Sequence, residues 1–270
     1  MLRRALQPDD AYYIFMNAPE AWRTPLSELL METVAKNVQN SYYVLFKVQT
    51  LSEGERKLLI EVVAKEAEYS YRTLRSSKNL SDGERRLLME AVTKSPEYSY
   101  NALLEVRNIS DGERKLLAEA VAEDADWAYR ALFYAKPISA GERQLLMEAV
   151  AKNAEQSYNI LLCNVDNLSD GENKLLIEAV AKSSYYSYSL LRFRKTRSAE
   201  ERQLLMEVVA QNAEQSYYTL LSVPNISEEE KKLLVEAIAK SPYYSHYVLL
   251  NFLNLSEEQK ALLKKASDNY

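Results

Sequence analysis

The feature that most constrains the fold is a sequence repeat of 29 residues that runs along the chain. Its marker is a pair of adjacent leucines, and successive pairs are 29 residues apart except for one spacing of 30. The pairs are Leu29-Leu30, Leu58-Leu59, Leu87-Leu88, Leu116-Leu117, Leu145-Leu146, Leu175-Leu176, Leu204-Leu205, Leu233-Leu234 and Leu262-Leu263. Short repeats of fixed length bury their apolar faces only by stacking on their neighbours, so this pattern indicates a repeat architecture.

Each repeat opens with a predicted helix, called helix A, whose start is marked by a capping box. A serine stands three residues before a glutamate or glutamine, so the hydroxyl can accept from the third helical amide while the longer side chain reaches back to the serine amide. The pairs are Ser52/Glu55, Ser81/Glu84, Ser110/Glu113, Ser139/Glu142, Ser169/Glu172, Ser198/Glu201, Ser227/Glu230 and Ser256/Gln259. Within helix A, Leu58, Leu59, Val62 and Val63 predict the buried face.

A second predicted helix, helix B, follows after a short turn and runs for about ten residues. Its N-cap positions hold Asn37, Glu66, Ser95, Asp124, Asn153, Ser183, Asn212 and Ser241, good capping residues in all repeats but one. Ala67, Ser70, Tyr71 and Leu74 share one face and predict the buried side of helix B. The tyrosine of this set, called the ladder tyrosine, recurs as Tyr12, Tyr42, Tyr71, Tyr100, Tyr129, Tyr158, Tyr188 and Tyr217. We expect a ladder of packed rings, with His246 at the last ladder position in or near the core.

These helices predict an all-α fold, a right-handed α/α solenoid of about eight 29-residue two-helix repeats with half-repeat caps. We expect a single repeat domain over 1–270, with an N-terminal partial repeat at 1–23, full repeats over about 24–254 and a C-terminal capping helix at 255–270. In architecture only, this resembles the helical-repeat class that includes HEAT and tetratricopeptide arrays. The 29-residue repeat is shorter than theirs, and the chain carries no tetratricopeptide or ankyrin signature.

Two further residue types recur at the junctions between helices. Helix B is expected to end near an asparagine, a residue that tolerates the left-handed conformation found at many helix ends. These asparagines are Asn79, Asn108, Asn167, Asn225 and Asn254. All five glycines are the second residue of helix A, at Gly54, Gly83, Gly112, Gly141 and Gly171. They predict a close approach of a neighbouring helix or simple tolerance in a first turn, because the acidic residues beside them disfavour phosphate binding.

Beside the ladder tyrosine, helix B carries two positions whose residue types vary between repeats. The residue two before the ladder tyrosine and the residue just after it are three apart, so they lie on one face. The predicted binding residues at these positions are Tyr43, Tyr69, Arg72, Tyr98, Asn101, Trp127, Arg130, Gln156, Asn159, Tyr186, Ser189, Gln215, Tyr218, Tyr244 and Tyr247. One turn further on, Lys47, Glu105, Tyr134, Phe193 and Asn251 extend this face.

Such side chains, with flat faces or several hydrogen-bonding groups, are enriched at binding hot spots and in paratopes. Ordinary variation at solvated positions is the simpler explanation, but it would favour Lys, Glu and Ala. The favoured interpretation is therefore a non-catalytic scaffold that recognises a peptide or protein partner along this face.

An alternative is a modular protein that binds single-stranded RNA or DNA and reads one base per repeat. Aromatic rings at the variable positions can stack on bases. Cations also recur in helix B and its exit loop, at Arg72, Arg75, Lys78, Arg107, Arg130, Lys136, Arg192, Arg194 and Lys195. Against this, the chain has a formal net charge of −5, and cations near a helix C-terminus also complement the helix dipole.

Other classes of function find little support in the sequence. Cys163 is the single cysteine, which excludes an internal disulfide and is typical of a reducing compartment, so we expect a cytoplasmic protein. No apolar run is long enough to span a bilayer, and we expect no membrane association. No metal-ligand cluster and no catalytic set around His246 is readable, so we expect neither an enzyme nor a metal or cofactor.

Overall fold

In the computed structural model, the residues described are 6–17, 27–48, 50–77, 79–135, 137–163, 168–194, 198–252 and 254–268. These residues contain 18 helices, which hold 76% of them, and no β-strand. The all-α prediction is therefore confirmed over these ranges. No helix within them is long and apolar enough to cross a membrane.

The chain divides into two compact units, an N-terminal unit, Met1–Leu146, and a C-terminal unit, Met147–Tyr270. The helices of the N-terminal unit are α1 (Pro8–Asn17), α2 (Ser27–Val34), α3 (Val38–Lys47), α4 (Glu53–Val63), α5 (Ala67–Ser76), α6 (Asp82–Val92), α7 (Pro96–Glu105), α8 (Asp111–Val121) and α9 (Ala125–Tyr134). The boundary between the units falls within α10 (Ala140–Val150). The C-terminal unit continues with α11 (Ala154–Leu162), α12 (Asp170–Val180), α13 (Ser184–Phe193), α14 (Ala199–Val209), α15 (Ala213–Ser222), α16 (Glu228–Ile238), α17 (Pro242–Asn251) and α18 (Glu257–Ser267). Odd-numbered helices are the predicted helices B and even-numbered helices the predicted helices A, and the single domain over 1–270 stays a prediction.

The helices begin where their capping residues predict. Both bonds of the capping box form at Ser52, Ser81, Ser110, Ser169, Ser227 and Ser256. At Ser139, the serine amide donates to Glu142 at 2.8 Å and the Glu142 amide donates to the serine hydroxyl at 3.3 Å. At Ser198, the hydroxyl accepts from the Glu201 amide. Every predicted helix B cap except Glu66 accepts a main-chain N–H through its side chain, and Glu66 is the exception that the sequence identifies.

The most extensive helix–helix contacts join a helix B to the helix A that follows it, as in α5 with α6 and α17 with α18. Helices A and B of one predicted repeat, such as α6 and α7, touch much less. Adjacent helices therefore pack as B–A pairs, and the first and last helices, α1 and α18, contact α2 and α17 in the same way. The half-repeat caps stay a prediction. The capping box marks where helix A starts, but it carries no information on which neighbour helix A contacts.

The buried face of helix A lies one residue further along than predicted. Leu59, Ile60, Val62 and Val63 are buried, whereas Leu58 is only partly buried. The buried residues follow the i, i+1, i+3, i+4 spacing of one helical face, which places the first leucine of each pair at its margin.

A buried serine ties each helix B to the helix A before it. Its hydroxyl lies 3.1–3.4 Å from the main-chain carbonyl oxygen seven residues earlier, at the end of helix A. The pairs are Ser41/Val34, Ser70/Val63, Ser99/Val92, Ser157/Val150, Ser187/Val180, Ser216/Val209 and Ser245/Ile238. Each of these carbonyls also accepts the main-chain N–H of the residue three further on, so the buried hydroxyl adds a second donor to the turn between the two helices. In α9 this position is Ala128, which has no hydroxyl.

A second recurring contact joins successive helices A. An arginine in the first turn of one helix A reaches the capping-box glutamate of the next, with Nε–Oε1 distances of 2.6–2.8 Å. The pairs are Arg56–Glu84, Arg85–Glu113 and Arg114–Glu142 in the N-terminal unit and Arg202–Glu230 in the C-terminal unit. One carboxylate thus accepts from its own cap and from the preceding repeat. The capping box does not predict this contact, and its sequence signal is an arginine 28 residues before the glutamate.

The same arginines bond to the carbonyls of three of the predicted asparagines, and Arg56 donates to Asn79 at 3.1 Å. Asn108 and Asn225 adopt positive φ values of 55° and 54°, and their carbonyls accept from Arg85 and Arg202 at 3.1 Å and 3.3 Å. Both lie three residues after helix B ends, in the loop before the next helix A. Asn79 and Asn254 do not share the left-handed conformation, and Asn167 lies outside the described residues.

The glycines do not mark a close approach of helices. A Cβ built on any of the five would meet no atom within 4 Å, and none of them has a positive φ. The close-approach interpretation is therefore wrong, and tolerance in an exposed first turn accounts for these positions.

We predict that Ser99→Ala lowers the free energy of unfolding by about 1 kcal/mol, because it leaves the Val92 carbonyl without this donor. The matched control is Ala128→Ser, which restores the hydroxyl where α9 lacks it and should leave stability unchanged or raise it. Urea unfolding of both variants measures the effect. A Ser99→Ala variant as stable as the wild type would contradict this role.

The Arg–Glu contacts also make stability depend on pH. Burial raises the pKa of Glu84 and Glu113, but hydrogen bonds from Arg56 or Arg85 and from the serine amide outweigh it, so both pKa values are lowered. A carboxyl with a lowered pKa in the folded chain stabilises the fold above its unfolded pKa, and this contribution is lost as the pH falls through the folded value.

We therefore predict that Glu113→Gln, which keeps a capping-box acceptor as Gln259 does, costs on the order of 1 kcal/mol at neutral pH. The difference from the wild type should shrink as the pH falls below about 4.3, the ordinary pKa of glutamate. Urea unfolding over a pH series measures it, with Glu119→Gln on the outer face of α8 as the control. A difference that stays constant with pH would contradict the prediction.

Candidate functional site

The ladder rings pack against side chains that the sequence assigns to the binding face. In each unit, a ladder tyrosine contacts the aromatic residue two before the ladder position of the next helix B. The ring-centroid distances are 5.3–6.0 Å for Tyr42–Tyr69, Tyr71–Tyr98 and Tyr100–Trp127 in the N-terminal unit. They are 5.5 Å for Tyr158–Tyr186 and Tyr217–Tyr244 in the C-terminal unit. These separations are typical of attractive ring pairs, so this part of the predicted binding face also holds successive helices together.

The ladder tyrosines themselves are buried to different degrees. Tyr71, Tyr100 and Tyr188 are buried, and the others are partly buried. Two of the buried ladder hydroxyls have partners, since Tyr71 donates to Glu105 at 2.7 Å and Tyr188 lies 3.1 Å from the Ser222 hydroxyl.

His246 is exposed, so its expected place in or near the core is wrong. It lies on α17, the last helix B in the described chain, and no further helix B supplies a ring to cover it. A sequence pattern alone does not show that a ladder position loses its cover in the terminal repeat.

The predicted binding residues fall into three groups by exposure. Arg72, Arg130, Tyr218 and Tyr247 are exposed. Those that are partly buried are Tyr43, Tyr69, Tyr98, Asn101, Trp127, Gln156, Asn159, Tyr186 and Tyr244. Ser189 and Gln215 are only 5% and 9% exposed, so they contribute almost nothing to a binding surface.

An acidic position next to this face was missed by the sequence reasoning. The residue three before the ladder tyrosine is Asp9, Glu68, Glu97, Asp126, Glu155 or Glu214 in six of the helices B. Burial raises the pKa of Tyr98, Tyr186 and Tyr244, and a carboxylate of the preceding helix B beside each hydroxyl raises it further. In sequence, these residues look like the ordinary acidic residues of a helical first turn.

In the N-terminal unit, cations of the chain itself cover the outward rings. Arg72 lies over Tyr69 at 5.6 Å, Arg130 lies over Trp127 at 5.0 Å, and Lys47 lies over Tyr43 at 5.8 Å, measured to the ring centroids. Arg72 also pairs with Glu68 at 2.6 Å. A cation thus sits between a ring and a carboxylate.

In the C-terminal unit, the outward face is rich in tyrosine instead. Tyr243 contacts Tyr244 and Tyr247 at 5.0 Å and 4.8 Å, and Tyr217 contacts Tyr218 at 5.3 Å. Four of the phenols are exposed, namely Tyr185, Tyr218, Tyr243 and Tyr247. The two units therefore present different chemistry at equivalent positions.

Large apolar side chains also stand exposed one turn further along helix B. They lie four or five residues after the ladder position, and they are Phe46, Leu104, Tyr134, Phe193, Leu221 and Leu250. The sequence predicts Tyr134 and Phe193 as part of the binding face, but the other four were missed. They could have been found as apolar residues of helix B that fall outside its predicted buried face.

Grooves between successive helices A form a second kind of concavity in the N-terminal unit. The largest has a volume of about 790 Å³ and is lined by residues that include Arg114, Ala118, Ile138 and Leu145. Ala118 stands where an equivalent groove has the larger Ile60. Among the described residues, no three His, Cys, Asp or Glu side chains come together as a metal site.

Comparisons of the chain with protein-family models, with curated proteins and with solved structures each found no match. The outward faces of helices B, described above, are therefore the basis on which a function can be proposed.

Proposed function

We propose that this protein is a non-catalytic scaffold that binds a peptide or protein partner along the outward faces of helices B. As part of this proposal, its helix pairs stack as a right-handed solenoid of about eight 29-residue repeats. The observation that carries the proposal is the contrast between the two sides of one helix. The inward side keeps a serine and a tyrosine in nearly every repeat, while the outward side varies among rings, amides and cations.

The exposed rings support partner binding by their chemistry. Tyr218, Tyr243 and Tyr247 combine a large apolar area with a hydroxyl, and a tyrosine has few rotatable bonds to immobilise on binding. The exposed Phe193 and Leu250, 61% and 64% accessible, add apolar area on helices B of the same unit, α13 and α17. Asn101 and Asn159 are partly exposed amides with the groups needed to bond to the backbone of an extended peptide.

The nucleic-acid alternative has weaker support from the described cations. Arg72 pairs with Glu68 at 2.6 Å and Arg75 with Glu105 at 2.8 Å. A nucleic-acid phosphate would therefore have to compete with a carboxylate for each guanidinium. Lys78, Lys136 and Lys195 lie outside the described residues. Because contacts to phosphates release counterions, a titration with random single-stranded oligonucleotides at two salt concentrations separates the two functions. Binding that weakens steeply with salt would replace the peptide proposal, and we expect no such binding.

We predict that Tyr218→Ala and Tyr247→Ala each weaken binding of a peptide selected from a random display library by about tenfold or more, as expected for hot-spot rings. The free energy of unfolding should fall by no more than about 1 kcal/mol, because both rings are partly in solvent, at 41% and 38% exposed, and otherwise contact neighbouring rings. Peptide titration and urea unfolding of each variant measure the two effects.

The control is Leu116→Ala, which removes an exposed apolar side chain from helix A. It should leave peptide affinity unchanged. Full affinity in both tyrosine variants, together with a loss in Leu116→Ala, would move the binding surface to helices A.

A further inference from the structure

The repeat provides its own example of how the helix B face holds a cation. In the N-terminal unit, the Arg72 guanidinium lies 5.6 Å from the centre of the Tyr69 ring and 2.6 Å from a Glu68 carboxylate oxygen. Tyr98 of the next helix B lies beside the same carboxylate, and the Arg72 charge acts on its hydroxyl. A guanidinium therefore occupies a position defined by one carboxylate and two phenols.

The equivalent position occurs twice in the C-terminal unit, without the arginine. The residues that correspond to Glu68, Arg72 and Tyr98 are Glu155, Asn159 and Tyr186 in one case and Glu214, Tyr218 and Tyr244 in the other. The carboxylate and the second tyrosine are kept, while an amide or a phenol replaces the guanidinium and Gln156 or Gln215 replaces Tyr69. The aromatic face at each position is therefore that of Tyr186 or Tyr244.

The charges around these two tyrosines fit this difference. Burial and the neighbouring carboxylate, Glu155 or Glu214, raise the pKa of Tyr186 and Tyr244, with further contributions from nearby tyrosines. Arg72 partly offsets the raised pKa of Tyr98, whereas the main influences on the pKa of Tyr186 and Tyr244 are burial, a carboxylate and neighbouring tyrosines. Each position therefore carries negative charge and an aromatic face.

We propose that the C-terminal unit binds a cationic peptide segment, with one basic side chain between Glu155 and Tyr186 and a second among Glu214, Tyr218 and Tyr244. This rests on the peptide-binding function proposed above and names the chemistry of the partner. Arginine suits both positions better than lysine, because its planar guanidinium stacks on a ring while its N–H groups bond to a carboxylate.

The spacing of the two positions also defines the partner. They lie on α11 and α15, two steps along the row of helices B, and packed helices are about 8–10 Å apart. The two basic side chains should therefore be about 16–20 Å apart, which an extended chain spans in about five or six residues.

The test uses the full chain and the labelled peptide Arg-Gly-Ser-Gly-Ser-Arg, compared with the same peptide in which citrulline replaces both arginines. Citrulline keeps the shape of the side chain and removes its charge. We expect the arginine peptide to bind about five- to tenfold more tightly, as a cation between a ring and a carboxylate should. Equal affinity for the two peptides, or no binding of the arginine peptide, would overturn the inference.

Two charge-matched pairs of variants separate this site from general attraction to an acidic protein. Glu214→Gln should weaken the arginine peptide by about fivefold, while Glu236→Gln on the exposed face of α16 should not. Tyr218→Arg should restore the arrangement of Arg72 and block the site, whereas Gln203→Arg on α14 adds the same charge elsewhere and should not. Equal losses within either pair would overturn the inference.

A failure here is distinguishable from a failure of the peptide-binding function. If the citrulline peptide binds as well as the arginine peptide and Tyr218→Ala weakens both, the helix B face is a binding surface and the cation preference is wrong. If library-selected peptides are unaffected by Tyr218→Ala and Tyr247→Ala, the proposed surface itself is wrong. Circular dichroism of each variant confirms that the helices remain folded.

Discussion

The contact between the ladder ring of one helix B and the aromatic side chain of the next is the interaction on which both packing and surface depend. It buries one side of rings such as Tyr98 and Trp127 and leaves the rest of each ring partly accessible. These residues are therefore constrained by packing. Residues just after the ladder position, such as Arg72 and Asn101, are free to differ, although Tyr218 at that position contacts the ladder ring of Tyr188 at 6.2 Å. Binding specificity is consequently most easily changed at residues such as Arg72 and Asn101, just after the ladder tyrosine. A substitution there alters the binding surface without disturbing the stack of rings.

Polar contacts at both ends of helix A hold this stack in register. At its start, Glu113 accepts from the Ser110 amide and from Arg85 of the preceding helix A. At its end, the buried Ser99 donates to the Val92 carbonyl of the preceding helix. The Ser110 amide has no helical partner at a helix start, and the Ser99 hydroxyl gives the Val92 carbonyl a second donor beside the Ser95 amide. Because such short helices are marginal alone, their ends matter as much as their apolar faces.

Local features of the fold could be predicted from the sequence, and features that depend on neighbours could not. Capping residues such as Ser81 act within one turn, so the helix starts were correct. The Arg85–Glu113 contact, the pairing of α5 with α6 and the burial of Gln215 depend on which helices stack, and a pattern in one repeat does not contain that information. The exposure of His246 has the same origin, because it depends on whether a further helix B packs against α17, and none does among the described residues. The candidate binding face stays a prediction, and the carboxylates beside Tyr98, Tyr186 and Tyr244 were missed because they belong to the preceding helix B.

The claim that helices B recognise the partner while helices A form the support is tested most directly by photo-crosslinking. A library-selected peptide that carries a benzophenone side chain is irradiated on the full chain, and mass spectrometry locates the crosslinked residues. The account predicts crosslinks on the outward residues of helices B, such as Tyr218 and Tyr247. Crosslinks concentrated in the helix A groove lined by Arg114, Ile138 and Leu145 would contradict it.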